Sequence, residues 1–407
     1  MKWILVIKTK DIAFKLICIG IFVTPHILRL AFFKTQWAII NVITWIGIIF
    51  LLRRYVRQGR VQIAKRSNGG IGNPLWICLL IACFIICGIG ISTFSYESLV
   101  KYIYATLAPL ILLYVTVPFE ENDKQVICFC NYLTASCTFI VLMGLLDIIF
   151  GTGFGKFIAD YTQTESLFEL LRTGRMVSYV GHSLLSTELM LLCFLFNTLK
   201  HYYIKKNEPM VLVVYNCVMP AIGIGVCGSK TGFVLFAISF AVLYVNRKGL
   251  KYVILIVAAI YWALSMGFFD SVLHRFEIGL SMGDLSTGRN TNLVLLWKSG
   301  VLDFHFLTGH AGTTLSEKMI AALEYPPLRW AYLFGVWFSV AMCIILFVIP
   351  IFKCIKYKKF KVLFALLIII ADVNSYNGIT TIGDQMLIYC VSVLLLLNLA
   401  RRTEYNE

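Results

Sequence analysis

The sequence predicts an all-helical protein that crosses a membrane about twelve times. The chain has 407 residues, of which 59% are hydrophobic and only 14% are charged. A water-soluble domain cannot bury that much apolar surface. The apolar stretches lack the alternating polarity of strands, and backbone groups in lipid are satisfied only inside a helix or a closed barrel. We therefore expect a single all-α, polytopic transmembrane domain over residues 1–407.

The apolar stretches define the elements in chain order, because a spanning helix needs roughly 20 predominantly apolar residues. The predicted spans are 12–33, 36–52, 75–92, 99–117, 126–149, 183–199, 210–227, 231–246, 252–269, 329–352, 362–375 and 384–400. Short loops connect them on one side of the membrane. The other side carries two long external loops, residues 151–182 and 269–328.

Basic residues orient the chain, whose net charge is +15. Lysine and arginine concentrate in short loops, at Arg53, Arg54, Arg57, Arg60, Lys65, Arg66, Lys200, Lys205, Lys206, Arg247, Lys248, Lys251, Lys353, Lys356, Lys358, Lys359, Lys361, Arg401 and Arg402. With twelve spans these loops share one side, which the positive-inside rule identifies as the cytoplasm. Both termini are then cytoplasmic. The charge indicates topology and contact with anionic lipid, and it does not indicate nucleic-acid binding.

The few arginines in the external loops are candidates for anion binding. Arg172 and Arg175 are three residues apart, so on a helix they share one face. Guanidinium groups bind phosphate oxygens bidentately, so the pair either clamps a phosphate or pyrophosphate or binds lipid phosphates of the outer leaflet. Arg289 precedes a short predicted helix over 292–297, whose N-terminus would bind an anion. Its alternative role is an interfacial anchor.

Caps and neighbours complete the expectation for the second loop. Thr287 or Asn290 is expected to cap the short helix. Trp297 either stacks on a sugar or anchors the helix at the interface. Pro326 and Pro327 suit the start of the tenth span, and they place Arg329 at the external interface.

Four further residues combine possible chemistry with a simple structural alternative. Lys230 is the lone charge of the tight turn 228–232, where it either lies at the mouth of a cavity or extends to the surface. His182 and His310 are external, and a histidine can act as general base for a sugar hydroxyl. Glu188 falls inside a predicted span, where an ionisable group is a functional candidate unless it pairs with another span.

Several classes of site are not expected. The external histidines His182, His305 and His310 show no metal-ligand spacing, so we expect no metal. The thirteen cysteines lie almost all in predicted spans, as small apolar packing residues. There is no phosphate-binding G-x-x-x-x-G-K-[ST] loop, which argues against a transport ATPase. In the first span, His26 and Arg29 are expected to extend outward to the membrane surface.

Together these residues resemble the bacterial O-antigen polymerase and O-antigen ligase superfamily. Arg175-Met-Val-Ser-Tyr-Val-Gly-His182 is similar to the family's Arg–Gly–His-type entry into a span. Gly228-Ser-Lys-Thr-Gly232 is similar to its Gly-Ser-Arg-Thr-Gly turn, with lysine in place of arginine. Gly288-Arg289, with Trp297, opens the large loop as in the family, and Leu307-Thr-Gly-His-Ala-Gly312 stands where the family has a Gly-x-Gly segment. The pattern covers about residues 145–345.

The resemblance implies a polysaccharide polymerase in the plasma (inner) membrane of a bacterium. It would join oligosaccharide repeat units carried on undecaprenyl pyrophosphate, at the external face, with no cofactor and no metal. Arginines would stabilise the leaving pyrophosphate. The expected catalytic residues are Arg175, Arg289, His182 and His310, and the expected substrate-binding residues are Arg172, Lys230, Glu188, Trp297 and Arg329. The expected partners are the lipid-linked oligosaccharide and the bilayer, with a separate flippase and chain-length regulator.

Two other functions remain open. Ligases of the superfamily usually carry a histidine just before the span that follows the large loop. Here that place reads Glu324-Tyr-Pro-Pro327, which disfavours a ligase and leaves the base open between His310 and Glu324. A flippase of lipid-linked sugars is the other alternative. It would bury arginines inside its spans and would not need a long external loop.

Overall fold

Helices form every regular element that the structure describes. The computed structural model describes residues 2–34, 38, 40–58, 82, 83, 85, 102–163, 165–245, 250–281, 283, 284, 286, 288–311, 315–376, 378–380 and 383–401. Within these residues no strand forms. The predicted all-helical fold class is therefore confirmed.

The helices follow the apolar stretches in chain order. The first eleven are α1 (Lys2–Phe22), α2 (His26–Phe33), α3 (Val42–Arg57), α4 (Phe119–Phe150), α5 (Phe154–Thr162), α6 (Glu165–Arg172), α7 (Ser183–Tyr203), α8 (Met210–Cys227), α9 (Lys230–Tyr244), α10 (Leu250–Ser265) and α11 (Asp270–Ser281). The remaining seven are α12 (Arg289–Lys298), α13 (Glu317–Ala322), α14 (Pro326–Phe334), α15 (Val336–Cys343), α16 (Ile349–Lys356), α17 (Phe360–Val373) and α18 (Gln385–Arg401). A π turn joins α15 to α16, and 3-10 and π turns cover 103–114.

Some predicted elements fall outside the described residues. The predicted span 75–92 is described only at residues 82, 83 and 85, and the span 99–117 is described from residue 102. Arg60, Lys65 and Arg66 of the first basic loop also lie outside the described residues. So does Thr287, one of the two expected caps of α12.

Several helices have the length and composition of membrane spans. Four described helical segments qualify: Phe119–Phe150, Ser183–Tyr203, Met210–Cys227 and Val336–Lys356. The number rises to six if each of two bent helix pairs is one span. The helices α9 and α18 are apolar but shorter. These helices are those of a membrane protein, while the number of twelve spans and the cytoplasmic position of both termini stay predictions.

The first bent pair is held by polar contacts inside the fold. The axes of α1 and α2 differ by 75°, and Pro25 is the N-cap of α2. Arg29 is only 6% exposed, and its Nε and Nη1 atoms donate to the carbonyl oxygens of Ala38 (2.9 Å) and Thr24 (2.5 Å). The expectation that Arg29 extends to the membrane surface is therefore wrong. The guanidinium satisfies the Thr24 carbonyl group at the bend and the Ala38 carbonyl group after α2.

The described helices group into two compact units. Unit 1 comprises residues 1–47 and 123–281, and unit 2 comprises residues 48–122 and 282–407. Unit 1 carries the predicted site residues Arg172, Arg175, His182, Glu188 and Lys230. Unit 2 carries Arg289, Trp297, His310 and Arg329. Each unit is described by itself below.

Both predicted long loops contain helices. The segment 151–182 contains α5 and α6, and the segment 269–328 contains α11, α12 and α13. The short helix expected at 292–297 is confirmed within α12. At the start of the first segment, the Asp147 carboxylate accepts hydrogen bonds from Thr152 Oγ1 (2.6 Å) and from the backbone N–H groups of Phe154 (2.7 Å) and Gly155 (2.8 Å). It thereby satisfies amide groups at the beginning of α5.

The part of unit 2 around α12, α13 and α14 has a small hydrophobic core of its own. Leu302, Met319, Leu323 and Tyr332 are buried together, and side chains from α12, α13, α14 and the connection after α12 pack around them. This core positions Arg289 at the start of α12 and Arg329 within α14. The sequence shows only that Arg289 lies within the predicted loop 269–328 and that Arg329 follows directly after this loop.

The apolar span near residue 340 begins later than predicted. The predicted span is 329–352, but α14 ends at Phe334 and Gly335 has φ +96°, a conformation that favours glycine. The freed N–H groups of Val336 and Trp337 donate to the carbonyl oxygens of His305 (3.0 Å) and Phe306 (3.0 Å). The candidate span is Val336–Lys356, so Arg329 lies on a separate helix before it.

Candidate functional site

The tight turn between α8 and α9 is built by its two glycines and its serine. Gly228 has φ +68°, which ends α8, and the Ser229 hydroxyl caps α9 by accepting from the Gly232 N–H (3.1 Å). A Cβ atom at Gly232 would lie 2.1 Å from Thr187 Cγ2 of α7. The Gly-Ser-x-x-Gly part of the motif is thus explained by chain reversal and close helix packing.

Lys230 is the charged member of the turn. It is the first residue of α9 and half-buried. The N-terminus of a helix carries partial positive charge, so a lysine there is electrostatically unfavourable by itself. A bound anion near the turn would offset both positive charges.

Two arginines of unit 1 lie beside this turn. A Cβ atom at Gly228 would lie 3.7 Å from Arg175 Cγ, and Arg275 Nη1 of α11 donates to the Gly228 carbonyl oxygen (2.5 Å). Ser271, also of α11, donates to the Gly174 carbonyl oxygen (3.3 Å) and holds this helix next to Arg175. The sequence interpretation missed Arg275. It is a basic residue in a predicted external loop, the same signal that drew attention to Arg289.

Arg172 and Arg175 do not share a helical face, and this part of the prediction is wrong. The helix α6 ends at Arg172, and Gly174 adopts φ +67°. The N–H groups of Gly174 and Arg175 donate back to the carbonyl oxygens of Leu171 (3.1 Å) and Leu170 (2.9 Å), which is a glycine-terminated helix end. Arg172 is consequently exposed, whereas Arg175 is half-buried beside the turn.

His182 and Glu188 both belong to α7 or its cap. His182 is the N-cap residue, and its Nδ1 atom accepts from the Leu184 N–H (3.1 Å). Because Nδ1 accepts, the neutral ring carries its proton on Nε2, so proton abstraction by His182 would require loss of the cap. Glu188 is 1% exposed within α7. The hydrogen bond of the His182 ring favours a structural role for this residue. The Glu188 carboxyl group lies buried within unit 1.

Unit 1 also contains an apolar cavity of about 520 Å³. Aromatic side chains line much of it: Phe22, Phe139, Phe154, Phe157 and Tyr179. The Tyr179 hydroxyl is held in place because it donates to the Phe22 carbonyl oxygen (2.8 Å) and contacts the Ser136 hydroxyl. The lining suits a hydrocarbon chain far better than a sugar.

In unit 2, Arg289 joins three parts of the chain. Its Nε atom forms an ion pair with Glu324, and its Nη1 atom donates to the Ser375 carbonyl oxygen (2.7 Å). The Tyr325 hydroxyl donates to Asn290 Oδ1 (2.8 Å), which also ties the start of α12 to the segment before α14. Arg289 therefore has a structural role in addition to its charge. No pattern in the sequence predicts the hydrogen bond from Arg289 to the Ser375 carbonyl oxygen.

Arg329 is the more unusual cation of unit 2. Its Nε and Nη1 atoms are buried and have no hydrogen-bond partner among the described residues. Burial lowers the pKa of the guanidinium, and the negative charge of Glu324 opposes that effect. Glu324 thus interacts with both Arg289 and Arg329, and the three groups together carry one net positive charge.

The N-terminus of α12 does not form the anion site expected from the sequence. The N-cap is Gly288 and makes no side-chain cap, so the expectation for Asn290 is also wrong. The Asp284 carboxylate accepts from the Gly288 N–H (3.1 Å) and Thr291 Oγ1 (2.9 Å), and the Ser286 hydroxyl accepts from the Asn290 N–H (2.9 Å). A carboxylate of the chain already occupies the position that an anion would take.

Asp284 is held in its charged form by the groups it accepts from. Hydrogen bonds, the strongest from the Ser286 hydroxyl, lower the pKa of Asp284 to about 2. The carboxylate therefore stays ionised through the whole physiological range.

Trp297 and His310 both contact aromatic side chains. Trp297 is 62% exposed and packs against Phe304, with ring centroids 5.7 Å apart. His310 stacks on Tyr332 (4.6 Å between centroids) and lies close to His305 (5.0 Å). Asp303 completes this group. One of its carboxylate oxygens lies within 4.8 Å of the ring nitrogens that the two histidines offer as ligand atoms. The sequence interpretation missed Asp303 because the spacing matches no metal motif.

Each unit thus contains a group of neighbouring cations. In unit 1 Arg175, Lys230 and Arg275 surround the turn at Gly228. In unit 2 Arg289 and Arg329 flank Glu324. The chain matches none of the protein-family models, curated proteins or solved structures with which it was compared.

Proposed function

We propose that the protein is a polysaccharide polymerase of the bacterial plasma membrane. It transfers a growing glycan from undecaprenyl pyrophosphate to a single repeat unit carried on the same lipid. The observation that carries the proposal is the buried guanidinium of Arg329, which lacks partners for two nitrogens among the described residues. It lies next to Glu324, which is paired with Arg289.

The chemistry of this transfer explains why such a group is useful. An acceptor hydroxyl oxygen attacks the anomeric carbon of the donor, and the bond from that carbon to the phosphate oxygen breaks. The pyrophosphate leaves with the bonding electrons, and the hydroxyl proton is released. Negative charge therefore grows on the leaving oxygen, and preorganised donors stabilise it. Removal of one such donor typically lowers the rate roughly 10²–10³-fold.

Glu324 sets the balance of charge in the site. It neutralises one of the two arginines and holds Arg289 through the Nε ion pair. The unsatisfied donors of Arg329 remain for a ligand. Arginine is preferred over lysine for such a role because its planar group binds two phosphate oxygens at once.

The lipid character of the substrate is supported by unit 1. Its cavity of about 520 Å³ has the size of a ligand pocket and an apolar, aromatic lining. An isoprenoid chain fits that chemistry. The cations Arg175 and Lys230 of the same unit provide a second group for phosphate oxygens, so the proposal assigns binding of lipid phosphate to both units.

Surface glycan after gene deletion tests the function. Loss of a polymerase leaves single repeat units attached at the cell surface, and this is the expected result. Long lipid-linked polymer without attachment would indicate a ligase, and repeat units trapped on the cytoplasmic side would indicate a flippase. Either of these results would contradict the proposal.

Complementation of the deletion with arginine variants tests the site. Arg329→Ala is expected to shorten the glycan strongly, and Arg329→Lys only partly restores it because lysine lacks the planar fork. The matched control is Arg54→Ala, because Arg54 also forms an ion pair with a glutamate of unit 2 (Glu121, 2.6 Å) but lies in a predicted cytoplasmic loop. Normal chain length in Arg329→Ala, at normal expression, would remove the site from the proposal.

A further inference from the structure

Three side chains with metal-binding atoms meet in the external segment of unit 2. Asp303, His305 and His310 each offer one ligand atom, and these atoms lie within 4.8 Å of one another. His305 Nε2 is 3.4 Å from Asp303 Oδ2. The group lies outside the arginine site, and the function proposed above does not use it.

The backbone that carries the two histidines is fixed on the junction of α14 and α15. The His305 carbonyl oxygen accepts from the Val336 N–H (3.0 Å), and the His310 N–H donates to the Tyr332 carbonyl oxygen (2.9 Å). Gly309 packs so closely that a Cβ atom there would lie 2.1 Å from the Leu333 carbonyl oxygen. The two histidines therefore keep their separation without help from a ligand, as a preorganised metal site requires.

The ring of His310 is also oriented. It stacks on Tyr332 with centroids 4.6 Å apart and an interplanar angle of 25°. Its Nε2 atom lies 2.9 Å from the Asp303 carbonyl oxygen. A hydrogen bond from one ring nitrogen to a backbone carbonyl is the usual support of a metal-bound histidine, because it fixes the tautomer and leaves the other nitrogen to bind the ion.

The separations match a small transition-metal ion. Zinc binds histidine nitrogen and carboxylate oxygen at about 2.0–2.2 Å, so ligand atoms around a tetrahedral ion lie roughly 3.3–3.5 Å apart. The pair His305–Asp303 is already at that distance. The third ligand atom, from His310, lies within 4.8 Å of the other two.

We propose that Asp303, His305 and His310 form a binding site for a divalent transition-metal ion, with Zn²⁺ the best match. Two imidazoles and one carboxylate are a frequent donor set for zinc, and three protein ligands leave a position for water. Calcium and magnesium prefer oxygen ligands and are disfavoured by the two imidazoles. A bound ion would join three side chains of the segment 303–310. This site is independent of the glycan transfer proposed above.

Metal titration of the full-length protein tests this site directly. The protein is purified in detergent with a tag that contains no histidine, freed of metal with a chelator, and titrated with Co²⁺ and Zn²⁺. Cobalt bound by nitrogen and oxygen ligands reports its geometry through visible absorption, and a chelating dye reports competition for Zn²⁺. The wild-type protein is expected to bind one ion at this site.

Variants with one replaced residue test whether Zn²⁺ binds at this site or unspecifically to other histidines. His305→Ala and His310→Ala are expected to weaken Zn²⁺ binding by more than the roughly 10–100-fold that loss of an outer-shell partner causes. The matched control is His274→Ala, because His274 also lies beside a carboxylate (Glu277, 3.6 Å) but belongs to no described group of three ligands. This variant is expected to bind the ion as the wild type does.

The outcomes distinguish a wrong inference from a damaged protein. Equal Zn²⁺ affinity in the wild type, His305→Ala and His310→Ala would overturn the proposal. Asp303→Asn provides a second variant that keeps the size of the side chain and should weaken binding without loss of the fold. Thermal unfolding of all metal-free proteins checks the fold, and Zn²⁺ is expected to raise the unfolding temperature only of the wild type and His274→Ala.

Discussion

Replacement of Arg329 by methionine should stabilise the protein while it abolishes most activity. The guanidinium of Arg329 has two buried nitrogens without hydrogen-bond partners among the described residues. A buried donor left unsatisfied costs about 1–3 kcal/mol, and a charged one costs more. Methionine has a similar volume and no polar hydrogen to desolvate, so Arg329→Met is expected to raise the free energy of unfolding by part of that cost. Glu324 keeps its ion pair with Arg289 in the variant.

Arg289→Met is the matched comparison, because the same change at Arg289 removes contacts that exist. It breaks the ion pair with Glu324 and the hydrogen bond to the Ser375 carbonyl oxygen. Each typical hydrogen bond contributes about 0.5–1.5 kcal/mol and those to charged groups about 1.5–3 kcal/mol. We therefore expect the free energy of unfolding to rise by roughly 1 kcal/mol in Arg329→Met and to fall by about 2 kcal/mol in Arg289→Met.

Two assays test the expected changes in stability and activity of Arg329→Met and Arg289→Met. Thermal unfolding of the purified variants gives the order of stability, and glycan chain length in complemented cells gives activity. Both variants are expected to shorten the glycan, since both remove a cation from the proposed pyrophosphate site. If Arg329→Met is destabilised as much as Arg289→Met, the Arg329 guanidinium has a structural partner and the reasoning is refuted.

Three other predictions follow from single contacts. Gly232→Ala should unfold more easily by about 1–3 kcal/mol, because its Cβ atom would overlap Thr187 Cγ2; Thr187→Ser removes that methyl group and should restore stability in a double-mutant cycle. Ser229→Ala should lose about 1 kcal/mol of stability with its helix cap, whereas Lys230→Ala should keep stability and lose activity; equal unfolding temperatures for the two would contradict this. Because the pKa of Asp284 is lowered to about 2, its contribution to stability is full above the unfolded value of about 3.9 and is lost as pH falls through about 2. Asp284→Asn should remove this acid-dependent loss in unfolding measured across that range.

Local features of the chain were predictable because they depend on residues close in sequence. The apolar stretches predicted helices, and α4, α7 and α8 follow the predicted spans closely. The short helix at 292–297 depends on local composition and was confirmed within α12. Pro326 and Pro327 do begin a helix, α14, but it ends at Phe334 and is separate from the candidate span that follows. Even locally, the expected shared face of Arg172 and Arg175 failed, because Gly174 ends the helix between them.

The candidate site depended on contacts between distant parts of the chain. The ion pair from Arg289 to Glu324 and the bond to Ser375 join residues separated by 35 and 86 positions. The Asp284 carboxylate accepts the hydrogen bond from the Gly288 N–H at the helix terminus that the sequence predicted as an anion site. No periodicity in the sequence encodes such contacts, so the choice between Arg289 and Arg329 as the better anion ligand required the packed structure.

The sequence by itself determined the all-helical fold class and the apolar helices that are long enough to span a membrane. Hydropathy and charge are properties of single residues and short windows, and a chain of this composition has few other ways to satisfy its backbone. Only the tertiary structure decided which polar groups meet. It brought Asp303, His305 and His310 together and left two Arg329 nitrogens without a described partner. Both outcomes belong to unit 2, where side chains of α12, α13 and α14 pack around a shared core that no short window of sequence contains.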